Sequence, residues 1–180
     1  MTIEPNLADF YGVNLSNMAP ALRFEWYQAL KSGKYQQTTG QLKKELINDT
    51  HAYCCLGVLC DISAIGEWQD IDWGNPDANL DYIPYMVNTN WSGIKSVYDE
   101  GEYSVHDLEN SETLPNVLRE YWNIDEGSQS ILMKLNDGDP FSGQDPLCFD
   151  EIADIIGDTL IADGFDLKEM EANNGNAYDF

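Results

Sequence analysis

Apolar residues recur at helical spacing from Asn17 onward, where Leu22, Trp26, Ala29 and Leu30 share one face. Pro20 suits a first turn, and Gly33 closes the segment as a left-handed cap. Tyr35 to Ile47 reads as extended, is broken by Gly40, and leads into a turn at Asn48, Asp49 and Thr50. The pattern then predicts a short helix from Cys55 to Ile65, ended by Gly66; it is apolar on nearly every side and therefore buried. Helical spacing returns at Thr113, which can cap, and Pro115, which tolerates a first turn; Val117, Leu118, Tyr121 and Trp122 follow on one face. A short segment runs from Ile131 to Leu135. The clearest helix starts near Phe149, with Ile152, Ala153, Ile156 and Leu160 inward and Asp150, Glu151, Asp154 and Asp158 outward.

Elsewhere the period fails. Residues 1–16 are expected to form an irregular arm, and residues 168–180 a frayed acidic tail. Residues 67–113 mix aromatic residues, glycines and acids, and "EYSVHDL" is their best strand candidate. The expectation is one α+β domain over residues 17–167: four or five short helices around a small sheet, with an acidic elaboration at 67–113. A length of 180 residues with 43% hydrophobic side chains supports one sizeable core, and two domains would be cramped.

Charge changes the picture. The net charge is −23, and 27 of the 32 acids fall in residues 61–180 beside only four of the nine bases. Such a surface opposes direct nucleic-acid binding, which depends on cations neutralising phosphates. "FDEIADIIGD" resembles the first helix of some helix-turn-helix modules, but Asp150, Glu151, Asp154 and Asp158 would face the phosphates, so that reading is rejected. The acids favour basic partners, or serve only as a solvated face. No stretch approaches the roughly 20 apolar residues that span a bilayer, and the first basic side chain is Arg23, so neither a membrane span nor a secretory signal is expected.

Three of the four cysteines lie in "YCCLGVLC". Adjacent Cys54 and Cys55 cannot easily pair with each other, and a cytosolic setting keeps thiols reduced. Zinc would want a second ligand pair beyond His51, Cys54, Cys55 and Cys60, and only His106 and Cys148 remain. Catalysis by Cys54 or Cys55 would need a base such as His51 or His106 and a stabilised thiolate, yet Leu56, Val58 and Leu59 surround the thiols. Core packing is the favoured reading. The string from Asn136 to Glu151 fails as a calcium loop: counted from Asp137, its fifth and twelfth positions hold Phe141 and Cys148. No cofactor or metal is expected.

One stretch suits an anionic ligand carrying a ring. Arg23, Lys31, Lys34, Lys43 and Lys44 interleave with Trp26, Tyr27 and Tyr35, placing cations beside aromatic faces. The plainer alternative is that these bases balance the protein's own acids.

"WYQALKSGKYQQTTGQL" (Trp26–Leu42), followed by "YCCLGVLCD" and later by "LPNVLREYWNI" and "LND…FDEIADII", resembles the signature of short uncharacterised proteins encoded by bacteriophages. The resemblance implies a phage accessory protein in the host cytoplasm. It carries over no catalytic or binding residue. The chain departs from it in the long acidic stretch 67–113, in the insertion "PFSGQDPL", and in Cys148 where the family tends to have serine. The functional expectation is a non-enzymatic protein that binds and neutralises a host component, in counter-defence. Its partner would be a host protein with a basic surface, or an anionic nucleotide-like small molecule. A cysteine-dependent enzyme using Cys54 or Cys55 is the alternative.

Overall fold

A computed structural model of the chain describes residues 6–47, 49–63, 65–68, 85–87 and 112–174. The elements, in order, are α1 (Leu7–Tyr11), α2 (Pro20–Lys31), β1 (Gln36–Gln37), β2 (Lys43–Glu45), β3 (His51–Tyr53), α3 (Cys55–Ser63), β4 (Gly66–Trp68), β5 (Tyr85–Val87), α4 (Asn116–Tyr121), α5 (Glu126–Asp137), α6 (Phe149–Ala162) and α7 (Leu167–Asn174). The class is α+β. Strand order in the main sheet is β1-β3-β2, with β1 parallel and β2 antiparallel to β3, while β4 and β5 form a separate antiparallel pair.

The core lies between α2, α3, α5 and α6. Trp26, Leu56, Leu59, Leu118, Leu132, Ile152 and Ile156 are all buried there. α3 is the central piece, because its apolar faces leave no side for water. Two devices seat it. The Trp26 indole donates to the Cys55 carbonyl at 2.9 Å, tying α2 to the start of α3. Gly57 lets the helix lie directly on the Leu42 backbone, where an added methyl would overlap the Leu42 carbonyl. That carbonyl also accepts from the Cys54 amide at 3.1 Å.

Asn136, fully buried, joins three elements with one amide. Its Oδ1 accepts from the Cys55 N–H at 3.1 Å and the Gln37 Nε2 at 3.2 Å, and its Nδ2 donates to the Thr38 carbonyl at 2.8 Å. It thereby caps α3, closes the turn after β1 and ends α5. A buried amide with such partners is stabilising, whereas a partly satisfied one would not be.

Several boundaries differ from the periodicity. α3 stops at Ser63 rather than Ile65, and Gly66 opens β4 instead of ending the helix. Residues 6–16 are not an irregular arm: α1 is capped by Asn6, whose side chain accepts from the Asp9 amide, and Ala8, Val13 and Leu15 enter the core. The expected frayed tail begins as α7, whose first-turn amides at Lys168 and Glu169 donate to the Asp166 carboxylate. α5 starts at Glu126 rather than Ile131, because Asp125 caps it by accepting from the Ser128 N–H at 2.8 Å. Helices among the described residues therefore outnumber the four or five expected. Pro115 stands at the cap position of α4, one residue before its expected place. "EYSVHDL" lies outside the described residues, as does most of 67–113.

α6 begins where its pattern predicts, with exposed Cys148 at the cap and the Glu151 carboxylate accepting from the Cys148 amide at 2.9 Å. That bond, first among the causes, holds the Glu151 carboxyl below its usual range. A hydroxyl caps better than a thiol, so Cys148→Ser should stabilise the fold by about 0.5–1 kcal/mol in urea titration. A loss of stability would mean that the thiol makes packing contacts serine cannot replace.

Candidate functional site

The eight cationic and aromatic residues of the sequence-predicted site fall in three places. Arg23 is in the core, only 1% exposed, and its guanidinium reaches the Asp163 carboxylate at 2.6 Å and the Thr159 carbonyl and hydroxyl at 3.3 Å. Trp26 is buried beside it. One and two turns further along α2, Tyr27 packs over Gly157 and Lys31 pairs with Asp154 at 2.6 Å. Burial pulls the Lys31 ammonium down, but the Asp154 carboxylate outweighs it and the net shift is upward. Tyr27 is raised by burial and then by the nearby Glu171 of α7. This seam between α2 and α6 is a run of bases held by the protein's own acids.

The Arg23–Asp163 pair can be tested directly. Asp163→Ala would strand a buried guanidinium, with an expected loss of about 2–3 kcal/mol, below the fully buried range because Asp163 stays partly open to water. Arg23→Met combined with Asp163→Ala should recover most of that loss, since an apolar pair of similar shape replaces a buried ion pair well. Equal losses in the single and double variants would show that the cost of Asp163→Ala does not come from a stranded guanidinium.

The second place is the sheet. Lys43 is 8% exposed, and its ammonium lies 5.0 Å from the Trp68 ring centre and 5.5 Å from that of Tyr53. Tyr35 and Trp68 both meet the Tyr53 ring edge-on, at 5.2 and 5.9 Å. Behind them stands Asp61, which accepts from the Tyr35 hydroxyl and from the Trp68 indole, each at 2.8 Å. Burial first, and then Asp61, raises both phenols: Tyr35 strongly, and Tyr53 to about 12. An ammonium enclosed by ring faces gains cation–π attraction that offsets its lost hydration. Here that cation is the protein's own lysine, seated where a ligand cation would sit in an aromatic cage.

Lys34 and Lys44 make up the third place. Lys34 is exposed just beyond α2, and Lys44 is half-buried on β2 opposite Ala52. Neighbours on a strand project to opposite faces, so Lys43 and Lys44 do not act together. Sequence reasoning missed Tyr53 and Trp68, whose rings face Lys43, and Asp61, which holds Tyr35 and Trp68. A signal for the last was present: Asp61 is the only charge within α3.

The cysteine stretch is core. Cys54, Cys55 and Cys60 are free and buried, and the Cys55 thiol leans on the Leu132 carbonyl at 3.6 Å. Burial pushes all three thiols up, Cys54 to about 12, and the amides at the start of α3 do not offset it. Such thiols are protonated and shielded at neutral pH, opposite to what a nucleophile requires. Among the described residues, no group of three or more His, Cys, Asp or Glu side chains is placed to hold a metal. Asp137 instead accepts from the Gly40 amide at 3.0 Å, and Asp139 from the Phe141 amide at 2.9 Å. No helix among the described residues is long and apolar enough to cross a membrane.

The acids present a different surface. Asp150, Glu151 and Asp154 on α6, Asp166 in the turn after it, and Glu169 and Glu171 on α7 are all exposed. Lys168 is the one base within α6 and α7, and Lys31 of α2 pairs with Asp154. The arrangement defines a small α+β protein with Arg23 and Lys43 turned inward and exposed acids along α6 and α7. The chain belongs to the family described as a domain of unknown function (DUF8296), whose model matches residues 18–160. No curated protein and no solved structure matches it.

Proposed function

We propose that the protein is a non-enzymatic accessory protein of a bacteriophage. In the host cytoplasm it binds a host protein with a basic surface and neutralises it, as a counter-defence factor would. One observation carries this reading: three of the bases an anionic ligand would need, Arg23, Lys31 and Lys43, are engaged by the protein's own groups, while Asp150, Glu151, Asp166, Glu169 and Glu171 are exposed. Arg23 is held by Asp163, Lys31 by Asp154, and Lys43 lies beneath two rings. A nucleotide would have to displace these partners and then approach a chain of net charge −23. An acidic face, in contrast, steers a basic partner at long range and sets register at contact. The buried thiols support the non-enzymatic side of the reading.

Affinity capture from a bacterial lysate, with charge variants, tests it. Asp145→Asn, Asp150→Asn and Glu169→Gln combined should weaken capture of a basic protein and flatten its salt dependence. Lys31→Glu with Lys34→Glu should leave that capture intact. The opposite result would transfer the function to an anionic ligand: capture indifferent to the acids, and a small molecule released from the wild type but not from the lysine variant.

A further inference from the structure

We infer that Phe141 is the aromatic anchor of this binding surface, entering an apolar pocket that basic side chains surround on the partner. The inference rests on the binding role proposed above. Single exposed apolar residues are ordinary on protein surfaces. Phe141 is set apart by complete exposure, 101%, at the tip of a loop that its own backbone holds closed.

The loop joins α5 to α6. At its neck the Asp139 amide donates to the Gln144 carbonyl at 2.9 Å, and the Gln144 amide donates back at 3.2 Å. The Gly143 amide reaches the Asp139 carbonyl at 2.9 Å, with Gly143 at φ 74°, which glycine adopts without strain. The Asp139 carboxylate accepts from the Phe141 amide itself at 2.9 Å, fixing the backbone beneath the ring. At the base, the Leu147 amide donates to the Leu135 carbonyl at 2.7 Å, and Gly138 packs against Pro146.

Folding gains nothing from a phenyl ring left wholly in water, since its burial is what would stabilise. Binding would gain much. An aromatic side chain has few rotatable bonds, and a loop already closed loses little further freedom on docking. Charge selects the occupant. From Asn136 to Glu151 the chain carries Asp137, Asp139, Asp145, Asp150 and Glu151 and no base; Lys134 lies one turn earlier on α5. Asp137 turns back onto Gly40 and Asn136, and Asp139 feels Lys134. Asp145, Asp150 and Glu151 are exposed, so a partner docking on this loop meets net negative charge that lysine or arginine would complement.

The test uses the full chain. Phe141→Ala should leave the melting temperature unchanged, yet reduce capture of the basic partner about tenfold or more, as loss of a central anchor does. Phe141→Trp should retain capture. A photoreactive benzoylphenylalanine at position 141 should cross-link that same protein beside a lysine or arginine. At Ile47, which is 86% exposed and lies between β2 and β3, away from the α5–α6 loop in the chain, it should not. Undiminished capture by Phe141→Ala, with capture lost on neutralising Asp145, Asp150 and Glu169, would overturn the anchor and keep the acidic reading. Cross-links to a second copy of this chain would assign the loop to self-association instead. If the wild type captures no basic protein, the proposed function fails and the anchor with it.

Discussion

Gly57→Ala is expected to lose about 4 kcal/mol or more of stability, enough to leave little folded protein at 37 °C. The added methyl would overlap backbone rather than the movable end of a side chain. Leu42 cannot easily retreat, because its carbonyl is tied to the Cys54 amide and its side chain is buried. α3 cannot retreat either, with Asn136 on its first amide and Trp26 on its first carbonyl. Gly33 gives the contrast: it has φ 66° and open space where its Cβ would go, so Gly33→Ala should cost only about 1–2 kcal/mol, for the left-handed backbone alone. Urea midpoints for the two variants measure the difference. A Gly57→Ala loss as small as that of Gly33→Ala would mean that α3 and the strand beside it can separate without consequence.

The second large effect is alkaline unfolding driven by the buried thiols. Burial raises the folded-state pKa of Cys54, Cys55 and Cys60, so the fold keeps protons that the unfolded chain releases. Their contribution is therefore fully present below the unfolded thiol pKa of about 8.5 and is lost as pH rises above it. Each such thiol removes about 1.4 kcal/mol per pH unit in that range, so three remove about 4 kcal/mol per unit between pH 9 and 10. Tyr35 and Tyr53, also raised, steepen the fall further toward pH 11. Stability measured by urea titration from pH 7 to 10 should bend downward near pH 8.5. Cys60→Ala should lower the slope by one proton. A curve flat to pH 10 would show that the thiols ionise in the fold and are not in the core.

How much of this was legible in the chain depends on the strength of each local signal. α2, α3 and α6 were readable because repeated apolar positions, Pro20, Gly33 and the Cys148–Glu151 spacing all agree. α1 was not, because five residues complete barely more than one turn and it buries a single side chain, Ala8. The first turns of α5 were also hidden: Gly127, Ser128, Gln129 and Ser130 show no apolar period, although Ser128 and Gln129 are buried. The candidate site was the least legible part. A lone Arg23 or Lys31 reads as surface by residue type, and Asp163, the partner that draws Arg23 inward, lies 140 positions away. The acidic surface was plain from charge alone. The closure of the loop bearing Phe141 depends on a pairing of Asp139 with Gln144 that composition does not announce.

The contacts between α6 and the first two helices also set the order in which a newly made chain can assemble. Leu7 and Asn6 bond to Asp158, and Arg23 to Thr159 and Asp163, so α1 and α2 have no α6 partner until residues 149–163 have left the ribosome. At about 5–20 residues per second, the intervening stretch takes on the order of ten seconds to synthesise. For that interval the sides of both helices that meet α6, and the Arg23 side chain, stand open to water and to chaperones. The emerging protein therefore spends its first seconds as an apolar, locally neutral segment, and gains its acidic character only as the later residues follow.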